Sequence, residues 1–425
     1  MSVINKYIKN ASWYVFGSAV QGLTPFLLTP VLTRTLSQEQ FSEFVLFISI
    51  GTVLSFLFAL GLPAALTREL ILDKSNSKDT LLSVNLVKRY LLLICLSLIL
   101  LSPFFADFYK TLLLALALSL ALAIVLIEMA IYRAQQLAHK FVYFAVFSTA
   151  IPTILMTIGI YLNWITDNFI LFYGLFVIAF ALSQNLKVFG KLTNNYQFFT
   201  LLKLGWPTIP HGLGMSLMQY GDRVLIAAAL GLTAAGKVQV AALIGSAPLL
   251  LLSTLNHAWI PGVLEKFTIS KSEGLNFLNK STKFLALFIF SLALLIILIN
   301  PLLLSIFAPA DYDLAQLSPI VILMATAASL YIFYLRNTHI LTYLGRFQSL
   351  AWITPISIAL QILAIFALAP LFGLVSVGLA LIVVVSSQAL LTQIVVAKLA
   401  PDLNLTKSPL IYFVVLISVA TIILI

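Results

Sequence analysis

The stretch MSLMQYGDRVLIAAAL, residues 215–230, decides how the chain is interpreted. It is apolar almost from end to end, yet Asp222 and Arg223 are adjacent within it. Charged side chains are costly in hydrocarbon, so a membrane-spanning helix that keeps them usually faces a cavity or a charged partner. The first question is therefore whether this stretch, and the chain around it, lies in a membrane.

Composition indicates a polytopic membrane protein. Of the 425 residues, 61% are hydrophobic and only 9% are charged, and the mean hydropathy is +1.09. A soluble domain is about half apolar and about a quarter charged. The apolar residues form long blocks without strand-like alternation, which favours spanning helices over an outer-membrane barrel. About thirteen blocks are long enough, or nearly so, to cross roughly 30 Å of hydrocarbon, and they lie near 12–33, 41–62, 85–106, 111–132, 141–162, 168–187, 204–230, 236–258, 283–306, 317–338, 350–370, 372–396 and 409–425.

The excess of basic residues follows the loops. The net charge is +10, from 24 Lys and Arg against 14 Asp and Glu. With a cytoplasmic N-terminus, alternate loops place Arg34, Lys110 and Lys237 outside and Arg223 within a span, and the other 20 Lys and Arg fall in cytoplasmic segments. This is the asymmetry of the positive-inside rule. We therefore predict a multi-pass membrane protein with a cytoplasmic N-terminus whose basic loops contact anionic lipids, and no nucleic-acid partner.

Motifs for catalysis or metal binding are absent from the sequence. There is no phosphate-binding loop of the G-x-x-x-x-G-K-[ST] type and no nucleophile–base–acid constellation. The histidines are scattered and Cys95 is the single cysteine, so no ligand spacing for a metal exists. We predict a protein that is not an enzyme and that has no metal site and no cofactor.

The sequence repeats itself once. TPVLTRTLSQEQFSEFVLF (29–47) matches AAALGLTAAGKVQVAALI (227–244), GLPAALTREL (61–70) matches WIPGVLEKF (259–267), and IYRAQQLAHKFVYF (131–144) matches YLRNTHILTYLGRFQ (334–348). Six spans therefore repeat as six in the same orientation, as in transporters built from two bundles around a substrate path. We predict an all-α fold of two six-helix lobes, 1–200 and 201–398, in parallel repeat around a central cavity. The segment 409–425 lies outside the repeat and is either a thirteenth span or a shallow segment.

Several of these stretches resemble one family. LLTPVLTRTLSQEQFSEF near the start, LGWPTIPHGLGMSLMQYGDRVLIAAALGLTAAGKVQVAALI (204–244) and APLFGLVSVGLA (369–380) are similar to segments of the bacterial polysaccharide-unit flippases, the Wzx-type or O-antigen transporters. These belong to the multidrug/oligosaccharidyl-lipid/polysaccharide exporter superfamily. The resemblance covers roughly residues 1–396. Val238 departs from it, because many relatives carry an aromatic residue after the turn glycine, and Lys237 is also unusual there.

The resemblance implies a function. Such proteins move an undecaprenyl-diphosphate-linked oligosaccharide from the cytoplasmic to the periplasmic leaflet for assembly of O-antigen or capsule, by alternating access of two rocking lobes. The implied partners are that lipid-linked glycan and membrane lipids, with a polysaccharide polymerase and a chain-length regulator as further candidates. The alternatives are a cation-coupled multidrug antiporter of the same superfamily and a membrane-embedded polysaccharide polymerase. The short outer loops, which are nearly without Lys or Arg, count against the polymerase.

Four polar residues are candidates for contact with the substrate. Arg223 carries a planar fork that suits bidentate contact with phosphate. The alternative is an interfacial or structural role near the outer end of its span. Gln21, Gln219 and Gln361 could hydrogen-bond sugar hydroxyls, and hydrogen bonding between helices is the equal alternative.

Three titratable residues are candidates for coupling transport to H⁺ or Na⁺. Adjacent residues of a helix point about 100° apart, so we expect that Asp222 and Arg223 need not pair. Asp222 instead shares a helical stripe with His211, Met215 and Met218. Glu128 is the other acid within a span. It lies close to Arg133, and an ion pair at the membrane interface is the alternative to ion coupling.

Prolines recur in the first span of each repeat, at Pro25 and Pro30 and again at Pro207 and Pro210. Proline removes a helical hydrogen bond and permits a bend. We interpret these four residues as hinges that let the lobes rock, with static kinks as the alternative.

Overall fold

The computed structural model describes residues 3–72, 77–105, 107–165, 168–185 and 196–401, and every regular element within those ranges is helical. The first elements are α1 (Val3–Thr35), α2 (Gln38–Phe58), α3 (Leu62–Leu72), α4 (Ser77–Leu101), α5 (Asp107–Ala134), α6 (Ala138–Ala145), α7 (Ile151–Tyr161) and α8 (Phe169–Asn185). They are followed by α9 (Tyr196–Gly205), α10 (Ile209–Ser216), α11 (Asp222–Leu230), α12 (Thr233–Gly245), α13 (Ala247–Ile269), α14 (Lys271–Phe307), α15 (Leu314–Tyr343), α16 (Leu350–Phe372) and α17 (Val375–Leu399).

Many of these helices are long and apolar enough to cross a membrane. Eight of the described helices are long and apolar enough to be membrane spans. A ninth span results if α12 and the first part of α13, which meet at a bend of 55°, are counted as one. With interrupted spans joined, the described helices form twelve segments, six from α1 to α8 and six from α9 to α17. The predicted all-α membrane fold with twelve core helices is confirmed. The predicted extra segment 409–425 lies outside the described residues.

The seventh span is interrupted twice. A 3₁₀ turn, Trp206–Thr208, separates α9 from α10, and a π-helical turn, Leu217–Gly221, separates α10 from α11. Pro207 and Pro210 lie at the first break, where neither can donate a backbone hydrogen bond. By contrast, Pro25 and Pro30 lie inside α1, which is one continuous helix from Val3 to Thr35. The four prolines therefore occupy two different settings, and their role as hinges stays a prediction.

The chain divides into two compact units, Met1–Gly221 and Asp222–Ile425. The predicted lobes meet at residue 200, whereas the units meet in the middle of the seventh span. The reason is that α9 packs on α3 and α4, and α10 packs on α2, all within the first unit. The seventh span therefore begins in the first unit and ends in the second.

Each unit is organised around its fourth span. In the first unit α5 packs against α2, α3, α4, α6 and α8, and in the second α15 packs against α12, α13, α14 and α17. In the apolar part of each helix, 72% of the residues of α5 and 89% of those of α15 are buried, more than in any other candidate span. A helix that is apolar on all sides is stable only when other helices surround it. The same position is central in both units, as a sequence repeat requires.

Two glycines bring separate backbones together in the first unit. Gly61 follows α2 with a φ of +68°, in the left-handed region, and it lies against Gly205 at the end of α9. A Cβ on Gly61 would lie 2.1 Å from the Gly205 carbonyl oxygen, and a Cβ on Gly205 would lie 2.8 Å from the Gly61 carbonyl carbon. Only a pair of glycines permits this approach, which fixes the start of the seventh span on the first unit.

The region 259–282, one of the longest non-apolar stretches and therefore expected to lie between spans, is helical. α13 continues through Pro261 to Ile269, and Ser270 alone separates it from α14. Ser270 accepts a hydrogen bond from the backbone N–H of Glu273 and so caps α14. The 37 residues of α14 extend over about 55 Å, well beyond the roughly 30 Å of hydrocarbon. Hydropathy detects only the part of such a helix that lies in lipid.

An ion pair is buried within the first unit. Lys88 of α4 donates to Glu128 of α5, with 2.5 Å between Nζ and Oε1, and both side chains are less than 10% exposed. Each charge has lost its water and is stabilised chiefly by the other. Removing one partner of such a pair leaves an uncompensated charge, which is far more costly than removing both.

Gly205→Ala should destabilise the protein. The added methyl group meets backbone rather than a flexible side chain, and we expect a loss of about 1–3 kcal/mol in the free energy of unfolding in detergent. Gly22→Ala is the matched control, because Gly22 lies within α1 and its Cβ would meet open space. Equal stability of the two variants would contradict the proposed close contact.

Lys88→Met alone should cost about 3–5 kcal/mol of unfolding free energy, because it leaves the Glu128 carboxylate buried and unpaired. Glu128→Leu alone should have a similar effect. The double variant should recover most of the loss, since neither charge remains. A double-mutant cycle of thermal or denaturant unfolding in detergent measures this coupling, and additive losses would show that the two side chains do not stabilise each other.

Candidate functional site

Asp222 and Arg223 form a buried group at the beginning of α11. The guanidinium Nη1 of Arg223 donates to Oδ1 of Asp222 over 2.5 Å, and the same oxygen accepts the backbone N–H of Arg223 over 2.9 Å. The Nε–H of Arg223 donates to Oε1 of Gln239 in α12, over 3.0 Å. Asp222 is 4% exposed and Arg223 is 6% exposed. The pair therefore replaces the hydration of both charges by hydrogen bonds within the second unit.

This pairing corrects the expectation that the two side chains point apart. Their Cβ atoms do diverge along the helix, but the arginine side chain is long enough to fold back to the preceding carboxylate. Asp222 also directly follows the π-helical turn, and its carboxylate accepts the backbone N–H of the next residue. Sequence spacing alone does not include either effect.

The predicted stripe of His211 and Asp222 assumed one continuous α-helix. The π-helical turn Leu217–Gly221 lies between them, and such a turn changes the helical phase because each of its residues advances less than 100° around the axis. His211 lies in α10, within the first unit, and Asp222 opens the second. The steps of 4, 3 and 4 residues from His211 through Met215 and Met218 to Asp222 therefore do not put His211 and Asp222 on one face. Their role in ion coupling stays a prediction.

Three glutamines were predicted to meet the substrate, and the structure places them in three settings. Gln21 of α1 directs its amide to the sulfur of Met129 in α5, over 3.9 Å. Gln219 lies half-buried in the π-helical turn. Gln361 of α16 is 1% exposed, and its Nε2 has no hydrogen-bond partner among the described residues. Of the three glutamines, Gln361 is therefore the one whose buried amide N–H groups lack a hydrogen-bond acceptor among the described residues.

Glu128 pairs with a different cation from the one expected. Its carboxylate accepts from Lys88, whereas the guanidinium of Arg133 lies over the ring of Phe141, with 5.3 Å from Cζ to the ring centroid. Lys88 had been assigned to a cytoplasmic segment because it lies near the start of its span. The predicted ion pair is therefore present with a corrected partner, and ion coupling at Glu128 stays a prediction.

A buried cation in the second unit was missed by sequence reasoning. Arg336 of α15 is fully buried and donates to Oδ1 of Asn279 in α14 over 3.2 Å. The next residue, Asn337, donates to Thr392 of α17 over 3.2 Å. The repeated stretches 131–144 and 334–348 align Arg336 with Arg133, but Arg133 lies in the last turn of α5, whereas Arg336 lies about two turns before the end of α15. Aligning the two stretches by the ends of α5 and α15, rather than by their arginines, would have shown that Arg133 and Arg336 are not equivalent.

A buried histidine lies in the same unit as Arg336. His339 Nε2 lies 2.7 Å from Oδ1 of Asn256, and its ring packs edge-on against Trp259, with 4.3 Å between centroids. Trp259 in turn donates from Nε1 to the hydroxyl of Ser281 in α14 over 2.8 Å. These contacts tie α13, α14 and α15 together.

Comparison with solved structures shows a transporter fold. An inward-facing multidrug resistance MATE family transporter of the MOP superfamily has a TM-score of 0.66 at 14% identity, covering 92% of this chain and 98% of its own. Its outward-facing counterpart has 0.64 at 14%, covering 94% and 96%. A MOP superfamily transporter from Pyrococcus furiosus, whose description states that reverse polarity of its binding pocket suggests a different function, has 0.64 at 13%, with the same coverage. At these identities the likeness shows the fold alone.

Comparison of the sequence with known families is more specific. A search of curated proteins returns no match. The family model for "Polysaccharide biosynthesis protein" matches residues 7–266, which is more than half of the chain. This match extends across the first unit and through α11, α12 and most of α13, so it includes Asp222, Arg223 and Gln239. Its fold is shared with membrane transporters of the MOP superfamily, and the chain belongs to the polysaccharide biosynthesis protein family.

Proposed function

We propose that the protein moves a polyprenyl-diphosphate-linked oligosaccharide, with undecaprenyl as the lipid, from the cytoplasmic to the periplasmic leaflet. The observation that carries this proposal is the buried guanidinium of Arg223, held between Asp222 and Gln239 in the seventh span. The family match supports a role in polysaccharide assembly. The distribution of Lys and Arg supports a cytoplasmic N-terminus, which puts Arg223 in the outer half of its span.

The sign of the buried charge favours an anionic substrate. Among the described residues the buried cations are Lys88, Arg223 and Arg336, and the buried acids are Glu128 and Asp222. Transport of a cationic drug would be favoured by an excess of buried acid, which compensates the charge of the substrate after it loses its water. The excess here has the opposite sign, so it suits a diphosphate better than a drug cation.

The geometry of Arg223 suggests how a diphosphate would be bound. A guanidinium can donate to two phosphate oxygens at once. In this structure Nη1 donates to Asp222 and Nε donates to Gln239, so these partners hold the guanidinium in one orientation. A phosphate that reaches Arg223 competes with the Asp222 carboxylate for the same N–H groups. Asp222 is thus proposed to be a positioning residue that limits how tightly the substrate is held.

Asp222 is also our proposed coupling group. Binding of H⁺ or Na⁺ would neutralise its carboxylate and weaken its hold on Arg223. The cation and the phosphate would then favour each other's binding, because linkage between two ligands is reciprocal. His211 and Glu128 remain secondary proposals for this role.

Variants of Arg223 test the proposal. Export of surface glycan by Arg223→Ala should fall by about tenfold or more, since a charge-assisted hydrogen bond contributes roughly 1.5–3 kcal/mol. Arg223→Lys should be intermediate, because it keeps the charge and loses the fork. Asp222→Asn should bind undecaprenyl diphosphate more tightly, because the carboxylate no longer competes.

The assay is complementation of a strain that lacks the gene, at matched protein levels, with lipid-linked repeat units and surface glycan both measured. Arg68→Gln is the control, since Arg68 is exposed and paired with Glu69 at the surface. Accumulation of repeat units together with loss of surface glycan is expected for Arg223→Ala. Normal glycan with increased drug sensitivity would instead favour a multidrug antiporter.

A further inference from the structure

A cationic surface with aromatic side chains lies where α5 ends and α6 begins. Arg133 is in the last turn of α5, Lys140 is in the first turn of α6, and both are exposed. The tight connection between them includes Gln136 in the left-handed region, with a φ of +58°. The two helices that this connection joins thus each carry one exposed positive charge.

Aromatic rings, rather than carboxylates, support these two cations. Arg133 Cζ lies 5.3 Å from the centroid of Phe141, and Lys140 Nζ lies 5.5 Å from the centroid of Tyr132. A cation–π contact orients a cation without cancelling its charge. The described part of the chain gives neither residue a salt bridge to a carboxylate.

The acid on the neighbouring turn of α5, Glu128, already has a cationic partner. Glu128 is bound by Lys88. Lys88, Arg133, Lys140 and Glu128 together therefore leave an excess of two positive charges in this part of the unit. Both excess charges reside on the exposed side chains of Arg133 and Lys140.

The hydroxyl of Tyr14 adds a third donor on the side of Arg133. The ring of Tyr14 in α1 packs edge-on against Phe141, with 5.2 Å between centroids, so Tyr14 and Arg133 contact the same ring. The buried hydroxyl of Tyr14 has no hydrogen-bond partner among the described residues. Buried hydroxyls almost always have such a partner, so this one is available to an oxygen atom supplied by a ligand.

We propose that Tyr14, Arg133 and Lys140 form a second binding site, which takes a diphosphate ester at the cytoplasmic end of the first unit. The two cations and the hydroxyl are donors of the kind that diphosphate oxygens accept from, and the half-buried rings of Tyr14 and Tyr132 suit the face of an attached sugar. The identity of the ligand rests on the proposed function. The predicted topology puts Arg133 at the cytoplasmic end of the fourth span, whereas Arg223 lies toward the periplasmic end of the seventh. The site would therefore capture the substrate before it reaches Arg223.

The test uses the full-length protein in phosphatidylcholine nanodiscs, with binding of undecaprenyl diphosphate measured by native mass spectrometry. Arg133→Gln combined with Lys140→Gln should weaken binding by about tenfold or more, since two charge-assisted contacts are lost. Lys140→Gln alone, at an exposed position that should not affect folding, should weaken it several-fold, and Tyr14→Phe should do so without removing the ring. Arg68→Gln should bind as the unmodified protein does.

Competition with phosphatidylglycerol and with inorganic pyrophosphate identifies the source of the phosphate group. Pyrophosphate should compete and phosphatidylglycerol should not. If phosphatidylglycerol competes equally and its binding falls in the same variants, the site is a general lipid-headgroup site and the inference is overturned. Undiminished binding by all the variants would overturn the inference and leave the proposed function standing. No binding of undecaprenyl diphosphate by the unmodified protein would overturn both.

Discussion

A buried charge in this molecule must be held by another side chain, because hydrocarbon supplies no water to replace a missing partner. Three cations meet this requirement in three ways. Lys88 pairs with a carboxylate on the next span, Arg223 folds back to the preceding residue, and Arg336 donates to an asparagine amide. The first two cations pair with carboxylates, whereas Arg336 is hydrogen-bonded to the amide oxygen of Asn279. Among the described residues three buried cations stand against two buried acids, and this difference supports the proposal of an anionic substrate, which Arg223 carries.

In both units a polar contact joins the third and fourth spans, but the residues that form it differ. In the first, the third and fourth spans are joined by Lys88 and Glu128, and in the second the corresponding spans are joined by Asn279 and Arg336. Glu128 and Arg336 both lie about two turns before the ends of their helices at Ala134 and Tyr343. The position of the polar link is therefore shared, while the cation has moved from the third span of one unit to the fourth span of the other. A duplicated bundle can in this way keep its packing while its two halves acquire different electrostatics.

Sequence patterns predicted the number and type of the helices because hydropathy and the placement of Lys and Arg respond directly to lipid. They also predicted that Arg223 and Glu128 lie within spans. They did not predict the partner of either, since a partner depends on side-chain length and on contacts between helices. Lys88 and Arg336 were assigned to cytoplasmic segments because they lie near the ends of apolar blocks, yet both are buried by neighbouring helices. The π-helical turn at Leu217–Gly221 and the helical continuation of 259–282 were missed because neither changes the hydropathy of the chain.

The most direct measurement is transbilayer movement of a labelled undecaprenyl-diphosphate-linked oligosaccharide in liposomes that contain only the purified protein. The substrate is first placed in the inner leaflet, and its exposure to a membrane-impermeant glycosidase is followed over time. The buried positive charge predicts that the diphosphate-linked glycan becomes accessible, and that the same glycan on an uncharged lipid stays protected. Equal movement of both lipids, or movement of neither in liposomes where the protein transports a cationic dye, would contradict the proposed function.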